Sequence, residues 1–405
     1  MTENKKNIVY SLTTTYPESE NSITPKFVHV LNKELTKIGY DVTVIVPHVK
    51  GADFFKIMDS VKIRRFKYLP ENFQINSLSI PNAIKTKKGL LKFIILTFTF
   101  FIYTIFICLK NKPDIIHAQW AFPAGVIAQF ISSLVGCKAV ITCHGAEMPL
   151  LKKYRFWRKV IISSMNKAAV ITPVSDYSKY ELVNMGVNEK KCVQINASPN
   201  FVNYISNEDI LKDYRKKFCD ENTKIILFIG RLVERKGIEY LIMALLKTKF
   251  KKIHLIIAGD GILLKKLQDL SYSLKLNEKI TFVIGPTDEE RGLLHQISDI
   301  FVCPSIVDSS GETEAIPMVI PEAMESKLPV IGSSVGGIKD IIKHEWNGLL
   351  VNQKDPDSIA KAMDRLFTDD SLRNLLIENS KGTVQEFFPK AIAKKFSQVF
   401  RKIIS

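Results

Sequence analysis

Residues 224–246 read Lys-Ile-Ile-Leu-Phe-Ile-Gly-Arg-Leu-Val-Glu-Arg-Lys-Gly-Ile-Glu-Tyr-Leu-Ile-Met-Ala-Leu-Leu. The segment Lys224–Ile229 is apolar after its first residue and rich in isoleucine, which is typical of a buried strand. Gly230 ends this strand, cations follow in the turn, and Ile238–Leu246 has the pattern of a helix. Strand, glycine turn and helix in this order form the repeating unit of a parallel sheet covered by helices.

The same alternation of strand and helix continues in both directions from this segment. Further strands are predicted at Lys6–Tyr10, Asp41–Pro47, Ile115–His117, Ala139–Cys143, Ala169–Pro173, His254–Ala258, Lys279–Ile284, Ile300–Cys303 and Pro329–Ser333. Most of them precede a helical pattern such as Phe27–Ile38, which Gly39 terminates. The sequence therefore predicts an α/β fold made of doubly wound parallel sheets.

The chain has 405 residues, which exceeds the size of one ordinary core and favours two domains. The alternation breaks between residues 198 and 222, where Ser198-Pro199-Asn200 precedes a charged helix at Asp209–Phe218. We predict an N-terminal domain at 1–198 and a second domain at 199–384. The remaining segment, 385–405, contains an amphipathic helix, Lys390–Ile404, which is expected to pack back on the first domain.

The positive charge of the chain is concentrated in its N-terminal half. The net charge is +16, and residues 1–198 contain 27 Lys and Arg against 13 Asp and Glu. This asymmetry predicts an anionic partner, such as membrane lipid or a phosphate-linked acceptor, with simple solubility as the alternative. Residues 151–162 combine five cations with three aromatic residues, which is typical of a helix on an anionic membrane surface or of a solvated helix face. No motif for nucleic acid is present, so no nucleic-acid partner is expected.

One apolar segment raises the question of a membrane span. Residues 93–109 contain no charge, and their 17 residues lie at the lower limit for crossing a bilayer. The flanking strands belong to one predicted sheet, so we predict a helix that packs in the core or lies at an interface. The six cysteines show no CxxC pair and no metal-binding spacing, and no signal peptide is recognised at the N-terminus. These features predict reduced thiols and a cytoplasmic location.

Two carboxylates, Glu314 and Glu322, lie eight residues apart in the segment 311–324. Carboxylates accept hydrogen bonds from sugar and ribose hydroxyls. A helix N-terminus is predicted between the two glutamates, with Glu322 in the first turn, and its backbone N–H groups would favour a diphosphate. Two surface glutamates that cap a helix are the alternative interpretation.

Other candidates follow strands of the C-terminal half. Arg231 and Lys236 come directly after the strand Lys224–Ile229, and ligands of parallel sheets bind at the carboxyl ends of strands. The next strand ends in Gly259-Asp-Gly261 but lacks the third glycine of a dinucleotide fingerprint, because Leu264 occupies that position. These glycines either let a nucleotide approach the backbone or make a turn.

In the N-terminal half, polar and aromatic residues follow two predicted strands. His144 follows the strand Ala139–Cys143, and Glu147 comes three residues later. Trp120 lies at the end of Asp114-Ile-Ile-His117-Ala-Gln-Trp120. A histidine at a strand end can bind a sugar hydroxyl, and Trp120 can line an acceptor site, with core packing as the alternative for both.

Together these segments resemble the retaining glycosyltransferases of family 4, which have the GT-B fold. Phe228–Gly237 is similar to the phosphate loop of that family, Glu314–Glu322 to its E-x7-E motif, and His144-Gly-Ala-Glu147 to its His-Gly-x-Asp/Glu element. Further similar segments begin at Pro173, Pro199, Pro329 and Asn347. The resemblance covers nearly the whole chain. It departs from the family at Ala315, where glycine is usual, and at Pro321 in the predicted helix.

The resemblance implies two Rossmann-like domains that face a cleft, and a role for each candidate residue. It implies that His144 and Glu314 are catalytic; that Arg231, Lys236, Met318 and Val319 bind the donor diphosphate; that Glu322 binds the ribose; that Glu314, Ala315 and Ile316 bind the donor sugar; that Gly230, Gly259 and Gly261 lie near the nucleotide; and that Trp120 and Glu147 lie on the acceptor side. No metal site and no cofactor are implied.

The implied activity is retaining transfer of a sugar from a nucleoside-diphosphate sugar to a lipid-linked or cell-surface glycan. The expected location is the inner face of the cell membrane, with peripheral contact to anionic lipid, in polysaccharide biosynthesis. One alternative is a GT-B sugar-nucleotide epimerase, which the paired glutamates disfavour. The other is a non-catalytic basic protein that binds membrane or nucleic acid, which the intact set Arg231, Lys236, Glu314 and Glu322 disfavours.

Overall fold

The computed structural model describes residues 6–19, 26–75, 86–201 and 207–404. Residues 1–198 together with 388–405 form one compact unit, and residues 199–387 form the other. The last helix of the chain therefore belongs to the first unit. Each unit has its own sheet and its own hydrophobic core.

The sheet of the first unit contains seven strands in the order β3-β4-β2-β1-β5-β6-β7. They are β1 (Ile8–Leu12), β2 (Asp41–Pro47), β3 (Phe55–Met58), β4 (Val61–Phe66), β5 (Ile115–Gln119), β6 (Lys138–Cys143) and β7 (Val170–Pro173). Neighbouring strands are parallel except for the edge pair β3 and β4. Because the strand order reverses at β1, this sheet is doubly wound.

Helices cover both faces of this sheet. They are α1 (Phe27–Lys37), α2 (Lys87–Lys110), α3 (Val126–Val135), α4 (Met148–Lys153), α5 (Arg155–Lys167), α6 (Asp176–Asn184) and, at the chain end, α15 (Pro389–Ile404). Helices α1 and α15 share one core with Val9, Val42 and Val44. Helices α2 to α5 share the other core, on the opposite face of the sheet, with Ile45 and Ile116.

The second unit has a six-stranded parallel sheet in the order β10-β9-β8-β11-β12-β13. Its strands are β8 (Lys224–Ile229), β9 (Ile253–Ala258), β10 (Ile280–Val283), β11 (Ile300–Cys303), β12 (Val330–Ser333) and β13 (Leu349–Val351). Its helices are α7 (Glu208–Lys216), α8 (Ile238–Ala244), α9 (Leu264–Ser273), α10 (Asp288–Ile297), α11 (Val319–Glu325), α12 (Ile338–Ile341), α13 (Pro356–Thr368) and α14 (Asp370–Gln385). The order reverses at β8, so the crevice at the carboxyl ends of β8 and β11 is a ligand-binding position.

The predicted α/β class with parallel sheets is confirmed. Three strands of the structure were not predicted from the sequence. Strands β3 and β4 form the edge hairpin of the first sheet, and β13 has only three residues. In β4, charged residues hide the alternation of apolar positions. Arg65 is nevertheless buried, because its guanidinium donates to the carbonyl oxygen of Pro17 at 2.8 Å.

The apolar segment 93–109 lies within the longer helix α2, which has 24 residues. One face of α2 packs on the sheet through Phe93, Leu96, Phe100 and Cys108, as predicted for a core helix. The opposite face is apolar and exposed. Among the described residues, α2 is the one helix whose length and hydropathy match those of a membrane span.

Candidate functional site

The loops that follow β8 and β9 pack against each other at the carboxyl edge of the second sheet. A Cβ atom on Gly259 would lie 1.9 Å from the carbonyl oxygen of Gly230, and one on Gly261 would lie 2.4 Å from that of Leu232. Only glycine permits such close approach of two backbones. The structure thus places Gly230, Gly259 and Gly261 together and gives the last two a packing role.

Glu314 is a buried carboxylate at this edge of the second sheet, and two cations form ion pairs with it. Arg235 Nε and Lys236 Nζ each lie 3.1 Å from one of its carboxylate oxygens. Burial alone would raise the pKa of Glu314, but the charges of Lys236 and Arg235 outweigh burial and lower this pKa. Glu314 is therefore ionised at neutral pH.

Arg235 is a site residue that the sequence analysis missed, although it lies in the same loop as Arg231 and Lys236. Its contact with Glu314 uses only Nε. No described residue bonds the two terminal amino groups of the guanidinium, so they remain available for a planar anion. Arg231 is exposed and lies within electrostatic range of both Arg235 and Glu314. The structure therefore brings three cations together around one carboxylate.

A glycine pair after β12 fixes the backbone on which Glu314 lies. Gly337 N–H donates to the carbonyl oxygen of Glu314 at 2.9 Å. A Cβ atom on Gly337 would lie 1.9 Å from the carbonyl oxygen of Ala315. Gly336 has a φ of 49°, and a Cβ atom there would lie 2.3 Å from the carbonyl oxygen of Glu314, so this position is also restricted to glycine. This contact holds Glu314, Ala315 and the half-buried Ile316 in place.

Helix α11 begins at Val319, directly after Met318, and both residues are half-buried. Pro321 falls in the first turn, where a backbone N–H has no partner within the helix, so proline removes no hydrogen bond. The helix has only seven residues. The cations of the β8 loop are therefore the main source of positive charge at this edge.

Glu322 is buried on α11 and pairs with Arg291 of helix α10, a second residue that the sequence analysis missed. The backbone N–H of Asn200 also donates to this carboxyl group. Burial raises the pKa of Glu322 despite the opposing charge of Arg291. A ligand hydroxyl at Glu322 would therefore share the carboxylate with Arg291.

His144 and Trp120 come together in the first unit, at the carboxyl ends of the adjacent strands β6 and β5. Their ring centroids are 5.2 Å apart, and Phe27 lies 4.9 Å from the His144 ring. Trp120 has a φ of 84°, a strained conformation for a bulky side chain and one that is typical of functional sites. Glu147 instead lies buried beside Cys143 at the start of α4, so its acceptor-side role stays a prediction.

Gln119, which the sequence analysis did not single out, orients His144. His144 Nε2 lies 2.9 Å from Gln119 Oε1. Because an amide oxygen only accepts, Nε2 carries the proton and Nδ1 keeps its lone pair. The amide nitrogen of Gln119 faces His117, whose Nε2 lies 2.7 Å from the Thr142 hydroxyl. This buried chain of polar groups fixes the amide and hence the tautomer of His144.

We expect His144 to remain neutral between pH 5 and 8, because burial lowers its pKa to about 3. The folded chain then binds fewer protons than the unfolded chain below the ordinary histidine pKa of about 6.5. The contribution of His144 to the free energy of unfolding is therefore present above pH about 6.5 and is lost as the pH falls towards the pKa of His144 in the folded chain. Imidazole NMR shifts across this range measure both the charge and the tautomer.

Gln119→Glu is expected to raise the pKa of His144, since a carboxylate beside Nε2 favours imidazolium. The control is Gln129→Glu, because the Gln129 amide bonds Ser133 and no histidine. An unchanged His144 titration in Gln119→Glu would contradict the assignment of Gln119 as its orienting partner.

The candidate residues thus form two clusters, one in each unit: Glu314 with Arg231, Arg235 and Lys236 in the second, and His144 with Trp120 and Gln119 in the first. Within the described residues, no three His, Cys, Asp or Glu side chains form a group that could hold a metal ion.

Comparison with known proteins identifies the family. The model of glycosyl transferases group 1 matches residues 209–383, and that of glycosyltransferase family 4 matches residues 25–202. An uncharacterized glycosyltransferase of Methanocaldococcus jannaschii is 37% identical over 49% of this chain and 50% of its own length, so the match spans about half of that relative. The putative teichuronic acid biosynthesis glycosyltransferase TuaC of Bacillus subtilis is 25% identical over 93% of each chain.

A solved structure, Anabaena HepE in complex with UDP and glucose, has a TM-score of 0.75 at 16% identity and covers 98% of this chain and 100% of its own. At that identity the likeness concerns the fold alone. The two family models together account for most of both units. The chain belongs to the group 1 and family 4 glycosyltransferases and has the GT-B fold.

Proposed function

We propose that this glycosyltransferase moves a sugar from a nucleoside-diphosphate sugar to a lipid-linked or cell-surface glycan. The reaction retains the anomeric configuration, requires no metal ion, and takes place at the cytoplasmic face of the membrane. The observation that carries the proposal is the cluster of Arg231, Arg235 and Lys236 around the buried, ionised Glu314.

The cation cluster suits a diphosphate leaving group. Asp308 also interacts electrostatically with Arg235, and Glu234 of the same loop accepts hydrogen bonds from Ser309. Among the residues that the structure describes, the terminal amino groups of Arg235 and two N–H groups of Lys236 have no acceptor and can donate to a ligand. Fixed cations of this kind stabilise the charge that grows on the diphosphate as the glycosidic bond breaks, which is the task a metal ion has in other transferases.

Glu314 and Glu322 have separate roles in this proposal. Glu314 accepts hydrogen bonds from the donor sugar, and its ion pairs with Arg235 and Lys236 keep it charged for that purpose. Glu322 accepts from the ribose hydroxyls, while Arg291 holds its carboxylate in position.

His144 supplies a neutral acceptor at Nδ1, because Gln119 holds the proton on Nε2. We assign it to a hydroxyl group beside the reacting carbon. In the retaining reaction the acceptor hydroxyl attacks from the face that the diphosphate leaves, and a neutral histidine avoids adding a positive charge next to an oxocarbenium-like carbon.

Two observations support a membrane-linked acceptor. The relative that aligns over 93% of the chain is named for teichuronic acid biosynthesis. Residues 1–198 also have 27 cations against 13 carboxylates, which suits an anionic lipid surface or a phosphate-linked acceptor.

The test is incubation of the enzyme with UDP-, GDP- and ADP-sugars and a lipid extract, with and without EDTA. We expect one donor class to be consumed at equal rates in both conditions, and NMR of the product to show the donor's anomeric configuration. Inversion or a need for metal would contradict the corresponding part of the proposal. An epimerised donor without transfer would favour the epimerase alternative.

A further inference from the structure

The structure assigns a docking surface for an anionic membrane leaflet to helices α2, α3 and α5, with α2 lying in the plane of the leaflet rather than crossing it. This surface has two parts. The apolar strip consists of Leu90, Leu91, Ile94, Phe98, Ile102, Phe106 and Leu109 of α2 with Phe130 and Leu134 of α3. The basic groove is lined by Arg155, Arg158, Lys159 and Lys167 of α5.

The apolar strip is continuous along the full length of α2. Apart from the neighbours Leu90 and Leu91, its members on α2 recur at intervals of three or four residues, so they share one helix face of about 29 Å. Their side chains are between 46% and 73% exposed. Phe130 extends the strip sideways through its ring contact with Phe101 at 5.5 Å. An apolar surface of this length marks an interaction site.

The opposite face of α2 shows why the helix lies in the plane of the leaflet. Phe93, Leu96, Phe100 and Cys108 are buried in the core that covers the first sheet. A spanning helix would have to leave this core or carry the sheet into lipid, where unpaired backbone groups cannot be satisfied. An in-plane helix keeps the core and immerses only the apolar strip.

The basic groove lies on α5, and α3, which carries Phe130 and Leu134 of the apolar strip, packs against both α5 and α2. Phe93 contacts Phe122, and Phe122 contacts Trp157 at 5.1 Å. The groove has a volume of about 620 Å³, with Ile162 and Met185 also lining it. In the part of the chain that the structure describes, none of its four cations forms an ion pair with a carboxylate. Unpaired cations beside exposed aromatic rings suit lipid phosphate groups at the membrane interface.

The charge of the docking surface favours a lipid leaflet over a second copy of this chain as its partner. Helices α2, α3, α4 and α5 contain ten Lys and Arg and no Asp or Glu. A symmetric dimer through this face would place these cations against each other without a compensating carboxylate. An anionic leaflet supplies the missing negative charge, and its acyl chains cover the apolar strip.

The experiment is co-sedimentation of the full chain with vesicles of phosphatidylcholine, with or without phosphatidylglycerol. We expect binding to the anionic vesicles only. The groove variant Arg155→Gln, Arg158→Gln, Lys159→Gln should bind on the order of 100-fold more weakly. The strip variant Ile94→Ser, Phe98→Ser, Phe106→Ser should bind at least tenfold more weakly at low salt, whereas about 1 M salt, where the screening length is about 3 Å, should release the wild type and both variants alike.

Matched controls come from exposed residues of the second unit. Lys249→Gln, Lys251→Gln, Lys361→Gln removes three exposed cations, and Ile262→Ser, Tyr272→Ser removes two exposed apolar side chains. Both should bind vesicles like wild type. Because all substituted side chains are at least partly exposed, unfolding temperatures should change little.

Three results would overturn the inference: equal binding to neutral and anionic vesicles, unchanged binding of both variants, or a dimer in vesicle-free solution that the strip variant dissociates. Resistance to carbonate extraction would show a spanning helix and overturn the in-plane arrangement. Vesicle binding requires no donor sugar. A chain that binds vesicles but transfers no sugar would leave this inference intact and contradict only the proposed function.

Discussion

Lys236→Ala is expected to lower sugar transfer by about 100- to 1,000-fold, the loss typical of removing one fixed charge from a transition-state anion. It also removes one of the two cations that hold the buried Glu314. Breaking a buried ion pair on one side costs about 3 kcal/mol of unfolding free energy. Steady-state kinetics and chemical denaturation measure the two effects separately.

A second substitution separates catalysis from folding in this variant. Adding Glu314→Gln to Lys236→Ala removes the carboxylate that has lost one of its two cations, so part of the lost stability should return while transfer stays low. Lys224→Ala is the matched control, because Lys224, the first residue of β8, pairs with Asp299 at 3.3 Å without contacting the site. It should keep wild-type transfer. Recovery of transfer together with stability in the double variant would show that Lys236 and Glu314 serve only the fold.

Gly337→Ala is expected to disable the site through backbone contact alone. The φ of Gly337 is −74°, which any residue can adopt, but the new Cβ would lie 1.9 Å from the carbonyl oxygen of Ala315. The backbone of Glu314 and Ala315 must therefore move. We expect a stability loss of about 1–3 kcal/mol and at least a tenfold loss of donor affinity.

Gly382→Ala is the matched control, and it is expected to change the stability in the opposite direction. Gly382 lies exposed within helix α14, and a Cβ there would meet nothing within 4 Å. Alanine should increase stability by about 0.5–1 kcal/mol, because it is the better helix former. Equal donor affinity in Gly337→Ala and Gly382→Ala would contradict the idea that the glycine pair positions Glu314.

The fold was predictable because its signals are local. The strand Lys224–Ile229, the turn at Gly230 and the following helix stand together in the sequence, and β8 has the predicted bounds. Strand β4 escaped prediction because its charged Arg65 is buried by a contact with Pro17, 48 residues away. Nothing within the strand itself indicates that contact.

Three site residues were not predicted for the same reason, because their contacts are distant in sequence. Arg235 meets Glu314 across 79 residues, Arg291 meets Glu322 across 31, and Gln119 meets His144 across 25. The sequence identifies a turn with several cations but not which of them faces the buried carboxylate. Likewise, α2 is apolar all round in sequence, and only packing on the sheet distinguishes its buried face from its exposed one.

The proposed function requires that the cations around Glu314 bind the donor diphosphate. Titration calorimetry of UDP, GDP and ADP against wild type, Arg235→Ala, Lys236→Ala and Lys224→Ala tests it most directly. We expect one nucleotide to bind wild type and Lys224→Ala equally, with an affinity that falls as salt increases, and to bind the other two variants at least tenfold more weakly. Equal affinity for all four proteins would contradict it.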